Sequence, residues 1–174
     1  MNASQLLLDS LRHRFRAIKE LGDKSLAQAT GEELLWRSHE GTNSIAIIVQ
    51  HLHGNMLSRW TDFLTSDGDK PTRDRDAEFE HIPRSKGEVL FMWEEGWQCV
   101  LEAVDTLTEA DLTKTIVIRG QELDVVDACL RQIAHYGYHI GQIVHIAKER
   151  TRDRWVTLSI AKGESKAYVP GKRD

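Results

Sequence analysis

The 174-residue sequence lacks the features that mark secreted, disulfide-bonded or membrane-spanning proteins. It has only two cysteines, Cys99 and Cys129, and neither belongs to a Cys-x-x-Cys motif, so we expect no disulfide framework. No apolar run approaches the roughly 20 residues that a membrane helix needs, and the N-terminal segment has no secretion-signal pattern. We therefore expect one domain over residues 1–174, located in the cytoplasm and not attached to a membrane.

The sequence also lacks an excess of positive charge. Its 23 Lys and Arg residues against 27 Asp and Glu residues give a net charge of -4. Dedicated nucleic-acid binders usually carry a basic domain or stripe, so we expect no nucleic-acid partner. The zinc-protease motif His-Glu-x-x-His, the hydrolase motif Gly-x-Ser-x-Gly, the phosphate-binding loop and the dinucleotide fingerprint are absent as well.

Four long segments carry apolar residues at helical spacing, which predicts an all-α protein. Their expected ranges are about Ser4–Leu21, Asn43 or Ser44 to Thr65, Ser85 to Leu107, and Asp124 or Asp127 to Arg150. Gly22 is expected to end the first segment. Thr30–Glu33 and Ser85–Glu88 have the spacing of helix-initiating capping boxes.

The segments between the helices complete the predicted architecture. Residues 67–83 form a polar stretch that we expect to be a long crossover connection. Thr115–Ile118 is β-branched and is soon followed by Gly120, which predicts a short strand or hairpin before the fourth helix. The tail from Trp155 is expected to be extended along the surface. Together these features predict a four-helix bundle.

Two histidines in the fourth predicted helix form the most informative pattern. His135 and His139 are four residues apart, so they lie on one face and can offer two imidazole nitrogens to a metal ion. We expect the third ligand to be His51 on the second predicted helix, because Asn55 on the same face indicates a small polar pocket. His53 projects to a different side of that helix.

Three neutral imidazoles suit zinc, nickel, iron or copper and leave a coordination position open. An open position is typical of a catalytic site, where the ion lowers the pKa of bound water or holds a thiol as its thiolate. However, a pair of histidines at this spacing is more often accidental than metal-binding. The alternative that all three are ordinary core residues therefore stays open, and the sequence assigns no catalytic side chain.

The helical wheel of the fourth segment also predicts which side faces the core. The expected core stripe consists of Val126, Leu130, Ile133, Gly137, Ile140 and Val144. On this interpretation the two histidines lie on the opposite wall, facing a pocket or a partner subunit.

Several arginines lie on or after the second predicted helix. Arg59, Arg73 and Arg75 could hold an anionic substrate or thiol cofactor if the connection folds over the site. Because aspartates alternate with these cations, solvated ion pairing is the interpretation that we favour.

The residues now permit a comparison with a known family. The run from His135 to Gln142, with Tyr138, His139 and Gly141, resembles the fourth-helix motif His-x-x-Tyr-His-x-Gly-Gln of the DinB/YfiT-like superfamily. The segments 51–68 and 155–163 resemble an uncharacterised bacterial subfamily of it, so the similarity covers nearly the whole chain.

The resemblance implies a homodimer of four-helix bundles with a divalent metal, zinc or nickel, bound by His51, His135 and His139. It also implies thiol S-transferase or isomerase chemistry with a low-molecular-weight thiol, although some relatives have lost the histidines. Our first hypothesis is a metal-dependent thiol S-transferase or hydrolase acting on a small molecule. The second is a non-catalytic metal-binding stress or interaction protein that acts as a homodimer.

Overall fold

The computed structural model describes residues 2–80, 83 and 85–167. In this part the chain forms six α-helices and one antiparallel pair of strands, which confirms a mainly helical protein. The elements are α1 (Ala3–Gln28), α2 (Gly31–Leu35), α3 (Ile45–Trp60), α4 (Ala77–Glu80), α5 (Lys86–Thr106), β1 (Thr115–Ile118), β2 (Gln121–Asp124) and α6 (Val125–Thr151). Among the described residues, no helix combines the length and apolarity needed to cross a membrane.

The prediction that Gly22 ends the first helix is wrong, because α1 continues to Gln28. Gly22 is buried against α5, and a Cβ atom placed on it would lie 2.3 Å from Cη2 of Trp93. Beside this contact, the Trp93 indole donates a hydrogen bond of 2.6 Å to Asp23. The glycine therefore permits α1 and α5 to approach closely. The residues next to Gly22 in the sequence do not predict this contact.

Local capping signals predicted the helix starts well. Both capping boxes are formed, at Thr30–Glu33 and at Ser85–Glu88. Asp124 caps α6 by accepting a hydrogen bond of 2.7 Å from the backbone N–H of Asp127. The second predicted helix is shorter than expected, because α3 ends at Trp60 and the chain turns at Asp62, whose φ is 51°.

The predicted hairpin is present and is tied to the connection that follows α3. Its turn, Arg119–Gly120, has φ angles of 55° and 70°, the positive values typical of tight hairpin turns. The Asp67 carboxylate accepts backbone hydrogen bonds from both turn residues, at 2.9 and 3.0 Å. Gly68 adds a backbone hydrogen bond of 2.8 Å to Val117. The connection and the hairpin are thus held together beside α3.

The core lies between the four long helices, with α1 and α3 each contacting both α5 and α6. Aromatic rings fill its centre: Phe15 and Trp60 pack edge to face at 5.2 Å, and Trp97 and Tyr136 at 5.5 Å between centroids. The Tyr136 hydroxyl accepts a hydrogen bond from Trp60 and donates one to Asn55. Packing in the core therefore accounts for Trp60, Trp93 and Trp97.

The predicted core stripe of the fourth helix is only partly right. Ile140 is buried and Val126, Ile133 and Val144 are partly buried against the core, but Leu130 and Gly137 are exposed. The face of α6 that is buried consists mainly of Cys129, Gln132, Tyr136, Ile140 and Ile143. Leu130, expected inside, is 49% exposed. The predicted stripe is centred incorrectly because it leaves out Cys129, Gln132 and Tyr136, three sulfur-bearing or polar residues that lie in the interior. As a consequence His135 and His139 flank the buried face instead of opposing it, and both are half-buried.

The prediction that the C-terminal tail is extended along the surface is confirmed only at the start of the tail. Trp155 packs against the core, and the Val156 backbone exchanges hydrogen bonds of 2.7 and 3.1 Å with the Gln28 side chain. Residues 157–167 contain no helix or strand, and residues 168–174 lie outside the described part.

We predict that Gly22→Ala lowers the free energy of unfolding. Ala is favoured over Gly in a helix by about 1 kcal/mol, but crowding in a packed core costs about 1–3 kcal/mol, and the new methyl group meets the rigid ring of Trp93. Gly87→Ala is the matched control, since a Cβ there meets nothing closer than 3.8 Å. Urea unfolding followed by circular dichroism measures both, and a Gly22→Ala variant as stable as the wild type would contradict the packing argument.

Candidate metal centre

Three histidines from two helices converge where α3 and α6 come together. Nε2 of His135 lies 3.4 Å from Nε2 of His51 and 3.1 Å from Nε2 of His139. One nitrogen of each ring lies within 4.8 Å of the others. The structure therefore brings together all three of the histidines that the sequence indicated.

The spacing of these nitrogens fits a shared metal ion. Two imidazole nitrogens bound to zinc at about 2.0–2.1 Å with a tetrahedral angle between them are separated by about 3.3 Å. The two short separations in the cluster, 3.4 and 3.1 Å, lie on either side of that value. Three nitrogen donors and no thiolate suit zinc or nickel, so the residues present fit the implied ion.

The outer nitrogens of two rings are oriented by hydrogen bonds. Nδ1 of His51 lies 2.8 Å from Oε2 of Glu78, and Nδ1 of His139 lies 3.0 Å from Oε1 of Gln142. With Nδ1 protonated in each ring, Nε2 presents its lone pair to the centre of the cluster. Carboxylate and amide partners of this kind are typical of metal-binding histidines.

Glu78 is the residue that the sequence analysis missed. It lies in α4, inside the segment expected to be an irregular connection, and its side chain is buried. Arg73 donates two hydrogen bonds to the same carboxylate, at 2.7 and 3.0 Å. Gly54 on α3 leaves room for this approach, because a Cβ there would lie 2.2 Å from Oε1 of Glu78. No local motif marks such a residue, since only the folded connection brings it to His51.

The electrostatic environment favours neutral His135 and His139 and an ionised Glu78. Burial, reinforced by the neighbouring histidines, lowers the pKa of His135 to about 3. Burial also lowers the pKa of His139. Although burial by itself raises the pKa of Glu78, the hydrogen bonds from His51 and Arg73 hold that pKa below its ordinary value. Neutral imidazoles backed by an ionised carboxylate are the protonation states that metal ligation requires.

The connection folds over the candidate site, and the arginines are not all solvated as we had favoured. Arg59 and Arg73 are buried, with side-chain exposures of 7% and 6%. Arg59 binds the Gly68 carbonyl and lies 3.3 Å from Asp69. Lys70, in contrast, donates hydrogen bonds to the Ser66 hydroxyl and the Asp67 backbone carbonyl within its own loop. For Arg59 and Arg73 the predicted ion pairing is confirmed, but the predicted solvation is wrong. Arg75 is exposed as predicted, but it forms no ion pair with a described residue.

The remaining histidines and cysteines lie elsewhere. His53 contacts Glu95 at 2.6 Å, away from the cluster, as its position on the helix predicted. His145 is exposed, and His81 lies outside the described residues. Cys129 is a buried thiol, and burial raises its pKa to about 12, which disfavours the thiolate.

The described structure thus defines a class: a mainly helical protein whose two long helices α3 and α6 share a three-histidine cluster. The chain belongs to the family described as "Protein of unknown function (DUF1572)", whose family model matches residues 2–164. A search of curated proteins returned no match. The family match covers all three histidines and Glu78.

We predict that Glu78→Gln weakens divalent-metal binding by about 10–100-fold, the usual effect of losing a carboxylate behind a metal-binding histidine. The amide keeps the shape of the side chain but removes the charge that faces His51 and Arg73. Competition of zinc or nickel against a chromogenic chelator measures the affinity. Glu80→Gln, at an exposed position of α4, is the control. Equal affinities for both variants would show that Glu78 does not support the site.

Proposed function

We propose that the protein is a divalent-metal-dependent enzyme, a thiol S-transferase or hydrolase that acts on a small molecule. The single observation that carries the proposal is the convergence of the three Nε2 atoms, with two of the outer nitrogens held by Glu78 and Gln142. Zinc or nickel is the ion that we propose for His51, His135 and His139, and no catalytic side chain is assigned.

An ion bound there would supply Lewis acidity, lowering the pKa of a water molecule or a low-molecular-weight thiol that enters the site. The chain's own residues would hold and orient that centre. His51 is oriented by its hydrogen bond to Glu78, and two hydrogen bonds from Arg73 hold the Glu78 carboxylate in place. His139 is held by Gln142.

The wall beside the histidines supports a nucleophile ionised by the metal over one activated by a protein carboxylate. Among the described residues, the cavity that His51 and His135 line contains asparagine, glutamine and arginine side chains but no Asp or Glu. Glu78 faces the outer nitrogen of His51 and is already bound by Arg73. It therefore acts as a positioning residue and not as a general base.

The proposal includes the finer fold and assembly that the resemblance implied. We infer a DinB/YfiT-like four-helix bundle made of α1, α3, α5 and α6, because each of these helices packs on two of the others. We further infer a homodimer formed through the outer face of α6, where Leu130 and Tyr138 are 49% and 64% exposed. A cytoplasmic location stays a prediction.

A second candidate is a metal-binding protein without turnover, whose homodimer is itself the functional form. The exposed apolar residues on α6 favour it, since they mark a contact surface that catalysis would not require. The two candidates differ in whether the ion keeps a position open to a thiol.

We predict that the purified protein, prepared without chelators, binds one divalent ion per chain, and that His135→Ala abolishes stoichiometric binding. The reason is that two imidazoles do not hold an ion firmly once the central ligand is lost. Elemental analysis measures the stoichiometry. His145→Ala, an exposed histidine on the same helix, is the matched control. If the wild-type protein contained no stoichiometric metal, the alternative that the three histidines are ordinary core residues would be supported instead.

We also predict that a cobalt-substituted sample develops a thiolate-to-cobalt absorption band on titration with a small thiol such as 2-mercaptoethanol. An open position beside three imidazoles permits a thiol to coordinate and ionise. Light scattering on the same sample reports whether the chain, of 19.9 kDa, is a dimer. Stoichiometric cobalt, a dimer and no thiol response would favour the non-catalytic candidate.

A further inference from the structure

An arginine-rich cavity adjoins the candidate metal centre. It has a volume of about 210 Å³ and shares two of its lining residues, His51 and His135, with the histidine cluster. Five arginines also line it: Arg59, Arg73, Arg75, Arg119 and Arg131. They arrive from four parts of the chain, namely α3, the connection after it, the hairpin turn and α6.

The positive charge of this cavity is only partly neutralised by protein carboxylates. Glu78 pairs with Arg73, and Asp69 pairs with Arg59 and Arg119. Five guanidinium groups therefore line the cavity, but only two carboxylates pair with them. The chain as a whole has a net charge of -4, so the excess is a local property of the cavity.

Two of the arginines have guanidinium groups that pair with no carboxylate of the described residues and are available to a ligand. Across residues 2–80, 83 and 85–167, neither Arg75 nor Arg131 forms an ion pair. Arg75 lies over the Phe79 ring, 5.5 Å from its centroid, and that ring packs against the His51 imidazole at 5.0 Å. Arg131 lies one helical turn before His135 on α6, a spacing that places both on one face.

A buried amide in the same wall is also unsatisfied. Gln132 is 4% exposed and lines the cavity, and its Oε1 atom has no hydrogen-bond partner among the described residues. A buried polar atom without a partner costs about 1–3 kcal/mol. A hydroxyl or other donor group on a ligand in the cavity would remove this cost, whereas an ionised oxoanion, which only accepts hydrogen bonds, would not.

The cavity is not built to stabilise the fold. Like charges gathered in one cavity repel one another. Burial of Arg59, together with the neighbouring charges of Arg73 and Arg119, lowers the pKa of Arg59, whereas Arg75, Arg119 and Arg131 are exposed. The hairpin turn is held by Asp67, and this places Arg119 at the cavity, with its guanidinium bound to Asp69. Cations gathered in this way are explained by an anion that they bind.

We propose that this cavity binds the anionic group, a carboxylate or phosphate, of the small molecule that reacts at the metal centre. Guanidinium groups match both oxoanions in planar, charge-assisted hydrogen bonds. The volume suits one such group, and His51 and His135 at its edge place the rest of the molecule beside the ion. The inference rests on the proposed function for the reaction, but anion binding itself requires only the arginines.

The test is a calorimetric titration of the full-length protein, both zinc-loaded and metal-free, with inorganic phosphate and separately with acetate. We expect saturable binding of at least one anion to both forms. Arg131→Gln should weaken it about tenfold, in line with the loss of one charge-assisted hydrogen bond, and Arg75→Gln with Arg131→Gln should weaken it further. Arg14→Gln, an exposed site on α1 with the same charge change, should leave it unchanged.

The outcomes separate this inference from the proposed function. Absence of saturable binding of both anions, or an equal loss in Arg14→Gln, overturns the anion site. We expect the Arg131→Gln variant to bind one zinc ion per chain, as the wild type does. A negative result for anion binding would therefore not contradict the proposed metal centre. Phosphate or acetate binding by a protein that takes up no zinc would sustain the anion site and refute the metal-dependent reaction. The anion that binds more tightly identifies the phosphate or carboxylate class.

Discussion

The hydrogen bond between Nδ1 of His51 and Glu78 joins the two parts of the molecule on which the candidate site depends. On one side it fixes the imidazole of α3 against the histidine pair of α6. On the other side it anchors α4 and the connection around it, since Glu78 also binds Arg73 and fits beside Gly54. The orientation of His51, its carboxylate partner and the arginine cavity therefore all depend on one folded connection.

The parts of the structure that were predictable from sequence are those determined by local physics. Capping boxes at Thr30 and Ser85, the Asp124 cap and the hairpin at Thr115–Ile118 each depend on residues within a few positions of one another. The pair His135 and His139 was readable for the same reason, because a four-residue step fixes a shared helix face. His51 was identified from its polar neighbour Asn55 and from the family resemblance.

The errors arose where distant residues decide the outcome. Gly22 has the local character of a helix stop, but its close packing against Trp93, far along the chain, makes it a packing glycine inside α1. The orientation of α6 is set by Tyr136, whose hydroxyl is satisfied by Trp60 and Asn55 on α3, so a polar-tipped residue occupies the core. The positions of Glu78 and of the buried Arg59 and Arg73 side chains depend on how the connection folds, and no local sequence pattern predicts that fold.

The central proposal is that Nε2 of His51, His135 and His139 bind one divalent ion. The most direct measurement is an anomalous-difference map at the zinc absorption edge from crystals of the zinc-loaded protein. We expect one strong peak per chain, about 2.0–2.1 Å from each of the three nitrogens. A peak bound by only two of these nitrogens, or located away from the cluster, would contradict the account.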